Sequence, residues 1–134
     1  MVAKTDAQVA REYIYTAAAG VGIVHFDAVP EDVSGIAIRA GLLTGQIVGR
    51  VLGGGYAWMH MRWVVELSEV TEDYAALDTA AAALQTAIDN TAASVTNGQI
   101  IKCLIVAPLQ TADVAPGLSV KRTGFEVEID AKGS

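Results

Sequence analysis

Cysteine is all but missing from this chain: Cys103 stands alone among 134 residues. An intrachain disulfide is therefore impossible, and a zinc site built on several cysteines is excluded. The apolar run 100–106 around it reads as a strand, which makes Cys103 a buried, inert thiol. Histidine is nearly as scarce, with two copies, His25 and His60. His25 and Asp27 offer two metal ligands at most, and no HExxH-like spacing supports them. His60 sits among aromatics on a strand. Both histidines read as polar side chains at a surface or a subunit contact.

Positive charge is also sparse. Nine basic residues face fifteen acidic ones, for a net charge of −6, and the sequence pI is about 4.7. The basic residues are scattered, and their closest grouping is Lys121 with Arg122. A nucleic-acid groove needs a basic stripe, so direct binding to DNA or RNA is not expected. No apolar run reaches the roughly 18 residues of a membrane-spanning helix. The opening residues 1–6 lack the apolar stretch of a secretory signal. The expected setting is a reducing cytosol, with no membrane partner.

Catalytic signatures are missing too. There is no P-loop and no Gly-x-Ser-x-Gly elbow. Gly20-Val21-Gly22 falls short of a dinucleotide fingerprint, which needs a third glycine and a preceding strand. Here position 25 is His and a helix precedes. The acid pairs Glu31–Asp32, Glu72–Asp73 and Glu126–Glu128 invite acid–base chemistry. They fall in a turn, at a helix N-terminus and on a wet strand face, so each has a structural role. Cys103 paired with a distant histidine stays open as a nucleophile. No catalytic, cofactor-binding or metal-ligating residue is assigned, and the chain is not expected to be an enzyme. A small-molecule-binding enzyme domain is the alternative from a different class.

What the chain has is apolar material. Hydrophobic residues make up 52%, enough for one packed core and too many for a disordered chain. Residues 1–134 read as a single domain. Alanine-rich periodicity predicts a helix over 6–19, with Val9, Tyr13 and Thr16–Ala17 near one face, ended by Gly20 and Gly22. A short strand follows at 23–26, and Val29-Pro30-Glu31-Asp32 reads as a turn. Seven glycines between Gly35 and Gly55 predict short strands plus a mobile loop over 34–55.

The segment 56–67 is the most informative. Its odd positions, Ala57, Met59, Met61, Trp63, Val65 and Leu67, are all apolar and are expected to face the core. Its even positions carry Tyr56, Trp58, His60, Arg62, Val64 and Glu66. Tyr, Trp and Arg dominate protein interfaces, so Tyr56, Trp58, His60 and Arg62 are the candidate subunit-interface residues. A helix of the same subunit covering that face is the competing expectation.

A long helix is expected to start within 68–73, with Thr71 as N-cap and Glu72 and Asp73 favoured by the helix dipole. Tyr74, Leu77, Ala81, Leu84 and Ile88 form its apolar stripe. It is expected to fray over 90–94, and Asn97-Gly98 signals a tight turn. The segment 99–107 is apolar on both faces and reads as a central strand. Pro108 stops it, and 110–117 reads as a loop. Over 118–130 the alternation of Phe125, Val127 and Ile129 with Glu126, Glu128 and Asp130 predicts one buried and one wet face. Gly124 marks a bulge or a hairpin turn there. The expected class is α+β: a mainly antiparallel sheet with an N-terminal helix and a long alanine-rich helix packed on it.

From Tyr56 onward this layout resembles the tail terminator, or tail-completion, proteins of long-tailed bacteriophages. The matching stretches are WMHMRWVVELSEV, EDYAALDTAAAALQTAID, GQIIKCLIV and GLSVKRTGFEVEID. In that family a strand ending in a Val-Val-Glu-Leu type pattern leads into such a helix, and a glycine–arginine–glycine–valine pattern closes the sheet. Gly117, Arg122, Gly124 and Val127 fall on that ending. The initial helix and the turn at Pro30 also suit the family. The likeness covers about three quarters of the chain, is least clear over 35–55, and consists of residue types rather than catalytic signatures.

The resemblance implies a virion protein of the tail or neck, assembled in the host cytoplasm. Such proteins form a closed homo-oligomeric ring, usually of six, on the head-proximal end of the tail tube. The ring ends tube polymerisation and offers a surface for the head–tail connector. Its partners are itself, the tail tube protein and the connector protein, with DNA only as cargo passing through and no cofactor. Tyr56, Trp58 and Arg62 would supply one patch of a heterologous contact and the glycine-rich segment the other. An acidic lumen would repel passing DNA. Another neck or tail subunit, such as a head-completion or tube protein, is the near alternative.

Overall fold

A computed structural model describes residues 5–26, 35–70, 74–89, 98–108, 112–115 and 120–133. For 47–50, 56–57 and 112–115 the backbone alone is described. The turn at 29–32, the Thr71–Asp73 cap and the fraying end at 90–97 lie outside these residues.

The first helix, α1, runs Asp6–Ala17. Thr5 and Gln8 close it with reciprocal bonds: Gln8 N donates to Thr5 Oγ1 at 3.2 Å, and Thr5 N donates to Gln8 Oε1 at 2.8 Å. This capping box satisfies two amides that the helix itself leaves unpaired. A single 3-10 turn, Ala18–Gly20, ends the segment. The carbonyl of Ala18 accepts from both Val21 N at 2.8 Å and Gly22 N at 2.9 Å. Val9, Ala10, Tyr13 and Ile14 are the buried hydrophobic face; Thr16 is exposed, so the apolar stripe turns toward Ala10 and Ile14 rather than Thr16.

The second helix, α2, runs Ala75–Asp89 and buries Leu77, Ala81, Leu84 and Ile88, as their spacing predicts. Fully burying each of the three larger side chains contributes about 1.5–3 kcal/mol. Helix α2 starts later than 68–73, because Ser68–Val70 continue a strand.

The strands are β1 (Val24–His25), β2 (Ala37–Arg50), β3 (Tyr56–Val70), β4 (Gly98–Pro108), β5 (Ala112–Ala115) and β6 (Val120–Gly133). They form one six-stranded sheet in the order β1-β2-β3-β6-β4, with β5 also paired to β6. Only the short β1–β2 pairing is parallel. The α+β class, with a mainly antiparallel sheet carrying both helices, is what the structure has.

Four expectations need correction. The segment 37–50 is one strand of 14 residues, not short strands and a loop. Pairing with β3 along almost its whole length offsets the intrinsic cost of glycine. A Cβ built at Gly41 or Gly45 would come within 4 Å of Val64 or Met59 of that strand. The strand over 98–108 is not central. It ends the sheet, bonded to β6 alone, and its apolar residues on the second face are only partly buried. The segment 120–133 is an unbroken strand, with Gly124 opposite Glu66, so Gly124 turns no hairpin. Within the expected loop 110–117, Ala112–Ala115 form β5.

The core lies between one sheet face and both helices. Met61, Trp63, Val65 and Leu67 from β3 meet Phe125, Val127, Ile129 and Ala131 from β6 beneath Val9, Tyr13, Leu77, Leu84 and Ile88. The ring of Phe26 stands edge-on to Trp63, with centroids 6.2 Å apart and planes at 79°. The Tyr13 hydroxyl donates to the carbonyl of Ile88, joining the two helices.

Candidate assembly surface

Side chains alternate along a strand, so burying the odd positions of β3 turns the even ones to the opposite face. Met61, Trp63, Val65 and Leu67 are buried, while Trp58, His60, Arg62, Val64 and Glu66 are half-buried. Both helices pack on the odd side, so no described helix covers the even side. Tyr56 opens β3 opposite Arg50; its side chain is outside the described residues.

Register brings carboxylates to this face. His60 lies opposite Asp130, Arg62 opposite Glu128 and Val64 opposite Glu126. Trp58 Nε1 donates to Asp130 Oδ2 at 3.2 Å. His60 Nδ1 bonds the other oxygen of Asp130, and its Nε2 lies 3.9 Å from Glu128 Oε1. Asp130 thus holds two of the candidate interface side chains at once. Farther along, Arg122 pairs with Glu66 at 3.6 Å. The Nε atom of Arg62 is buried without a hydrogen-bond partner. Sequence reasoning singled out Trp58, His60 and Arg62 but missed Asp130. The alternation in 125–130 marks Asp130 as wet; only strand register makes it the partner of Trp58.

Among the described residues, no cluster of three or more His, Cys, Asp or Glu is arranged to hold a metal ion. Cys103 points toward the core side opposite Ile129. Burial pushes its thiol up from 9.0 to about 11; a hydrogen bond with Tyr13 opposes the shift and the charge of Asp89 adds to it. Such a thiol stays protonated at neutral pH and is a poor nucleophile. Among the described residues no helix is long and apolar enough to cross a membrane.

A cleft of about 480 Å³ opens on the helix side of β2, lined by Arg11, Phe26, Ala40, Gly41, Leu42 and Trp63. A smaller one of about 190 Å³ is lined by Arg39, Gly41, Leu42, Leu43, Val64 and Glu66. Gly41 and Leu42 border both.

No family model matches the sequence. No curated protein matches it either. Among solved structures, one chain from the virion of a native gene transfer agent particle is similar over nearly its whole length. The two chains share a fold. The TM-score is 0.66 at 13% identity, covering 93% of this chain and 98% of the other. At that identity the likeness concerns the fold.

Proposed function

We propose that this chain is a structural subunit of a phage-like virion, acting as a tail terminator rather than as an enzyme. The observation that carries the virion reading is the fold likeness, over 93% of this chain, to a chain of the gene transfer agent virion; the terminator role follows the pattern of residue types from Tyr56 onward. The helix-free face gives the proposal a physical surface. Its Trp58 and His60 are pre-oriented by Asp130, so little side-chain entropy is lost when a neighbour covers them. Subunits join by a heterologous contact that closes into a ring on the head-proximal end of the tail tube, and the connector docks on the ring's other side. The net charge of −6 would discourage DNA from sticking to the assembled ring.

The test is assembly in the presence of the matching tube subunit. Native mass measurement should give one discrete closed oligomer, and adding the chain to polymerising tubes should cap them and stop elongation. Tubes that incorporate the chain throughout their length would make it a tube protein. A metabolite that raises its melting temperature, with no effect on tubes, would make it a ligand-binding domain.

A further inference from the structure

Among the described residues, both ends of the sheet keep a strand edge that no further strand pairs along most of its length. At one end β1 covers β2 only at Ile38 and Arg39. Beyond Arg39, among the described residues, β2 pairs with β3 alone. The uncovered stretch Gly41-Leu-Leu-Thr-Gly-Gln46 carries no charge. A β-bulge lies between Leu42 and Thr44, and Leu42 and Leu43 are 45% and 49% exposed. At the other end, β3 lines one side of β6 along its length and β4 lines the other. The outer side of β4 meets no described strand. It too has a bulge, between Ile100 and Lys102, and Ile101 and Leu104 are 41% and 42% exposed.

Soluble proteins blunt sheet edges with charges, prolines, bulges or covering elements. Here the stretch 41–46 has no charge, Arg50 closes β2, and the free edge of β4 carries one lysine, Lys102, and a terminal Pro108. Both edges keep backbone groups that no described strand pairs. They sit at opposite ends of one open sheet, so they cannot meet within a single copy.

We propose that the β2 edge from Gly41 to Gln46 binds the β4 edge of a second copy of this chain, making one sheet continuous between subunits. The proposal rests on the ring assembly described above and adds an edge contact to the one on the face of Trp58, His60 and Arg62. Strand direction alternates through β2, β3, β6 and β4, so β4 runs opposite to β2. A cyclic copy laid edge to edge therefore joins them antiparallel. Backbone hydrogen bonds supply affinity, as in other strand additions. Leu42, which lines both clefts, and Leu43, which lines the smaller one, pack against Ile101 and Leu104 of the neighbour. The contact is heterologous, so it propagates from copy to copy until rotation closes it.

Cysteine cross-linking tests this in the full chain with Cys103→Ser. Pairs combining Leu42→Cys or Leu43→Cys with Ile101→Cys or Leu104→Cys are oxidised under assembly conditions with the tube subunit. At least one pair should give a ladder of covalent multimers ending at a discrete largest band, while each single-cysteine variant stops at dimers. Amide hydrogen exchange over 41–46 and 98–108 should slow at least tenfold on assembly. If mass measurement shows a closed ring but no pair cross-links and exchange is unchanged, the edge contact is wrong and the ring stands. A ladder without an upper limit keeps the edge contact and removes the closed ring. A chain that stays monomeric beside its tube subunit overturns both.

Discussion

Asp6 accepts a 2.6 Å hydrogen bond from the backbone N–H of Gly133 through Oδ1. The first turn of α1 is thereby tied to the last residue of β6, across nearly the whole chain. Asp6 is buried, and its second carboxylate oxygen is without a partner. Asp6→Ala should leave the Gly133 amide unsatisfied and lower unfolding free energy by about 1–3 kcal/mol. Urea denaturation monitored by circular dichroism measures it. Unchanged stability would mean that water replaces the carboxylate at no cost.

The two faces of β3 predict opposite outcomes for the two tryptophans. Trp63→Ala removes a core ring and should destabilise the monomer by about 3–5 kcal/mol. Trp58→Ala should cost clearly less in monomer stability and show its main effect in assembly. Asp130→Ala should release Trp58 and His60 together, and a red shift of tryptophan emission would report the freed Trp58 ring. Equal monomer losses for Trp58→Ala and Trp63→Ala would contradict the assignment of faces.

Gly98 begins β4 directly against α1. A Cβ placed there would lie 2.4 Å from Val9 Cγ2 and 3.1 Å from the Lys132 carbonyl oxygen. Gly98→Ala should therefore cost about 1–3 kcal/mol through overpacking. Val9→Ala makes room for the new methyl group, so the double variant should lose less than the sum of the single losses. A thermal-melt double-mutant cycle giving strict additivity would refute the contact.

Cys103 predicts a pH dependence. Its thiol pKa rises from 9.0 to about 11, burial being the main cause. The folded chain holds this proton more tightly than the unfolded chain. The contribution is thus fully present below pH 9 and is lost as pH rises toward about 11. Cys103→Ser should flatten the fall in stability over that window relative to the parent chain. At pH 8, native Cys103 should react with iodoacetamide roughly a hundredfold more slowly than in the urea-unfolded chain, because its thiolate fraction is far smaller. Labelling at equal rates would mean that the thiol is open to solvent.

The amphipathic elements were legible because their signal is local. The stripe Leu77, Ala81, Leu84 and Ile88 and the alternation through Met61, Trp63, Val65 and Leu67 each repeat with the period of their backbone. Packing then buries the residues those periods select. The glycine-rich segment 37–50 misled for the same reason: glycine reports a weak local preference, and β3 alongside overrides it.

By itself, then, the sequence determined which side of each helix and of β3 is apolar, and with that the α+β class. It also determined that Trp58, His60 and Arg62 share one side. Tertiary structure alone decided strand order, placing β4 at an edge and β6 between β3 and β4, and strand register, setting Asp130 against His60 and within reach of Trp58. Hydrophobic period is a property of neighbours along the chain. Order and register are relations between segments far apart in it, fixed only when the whole core packs at once.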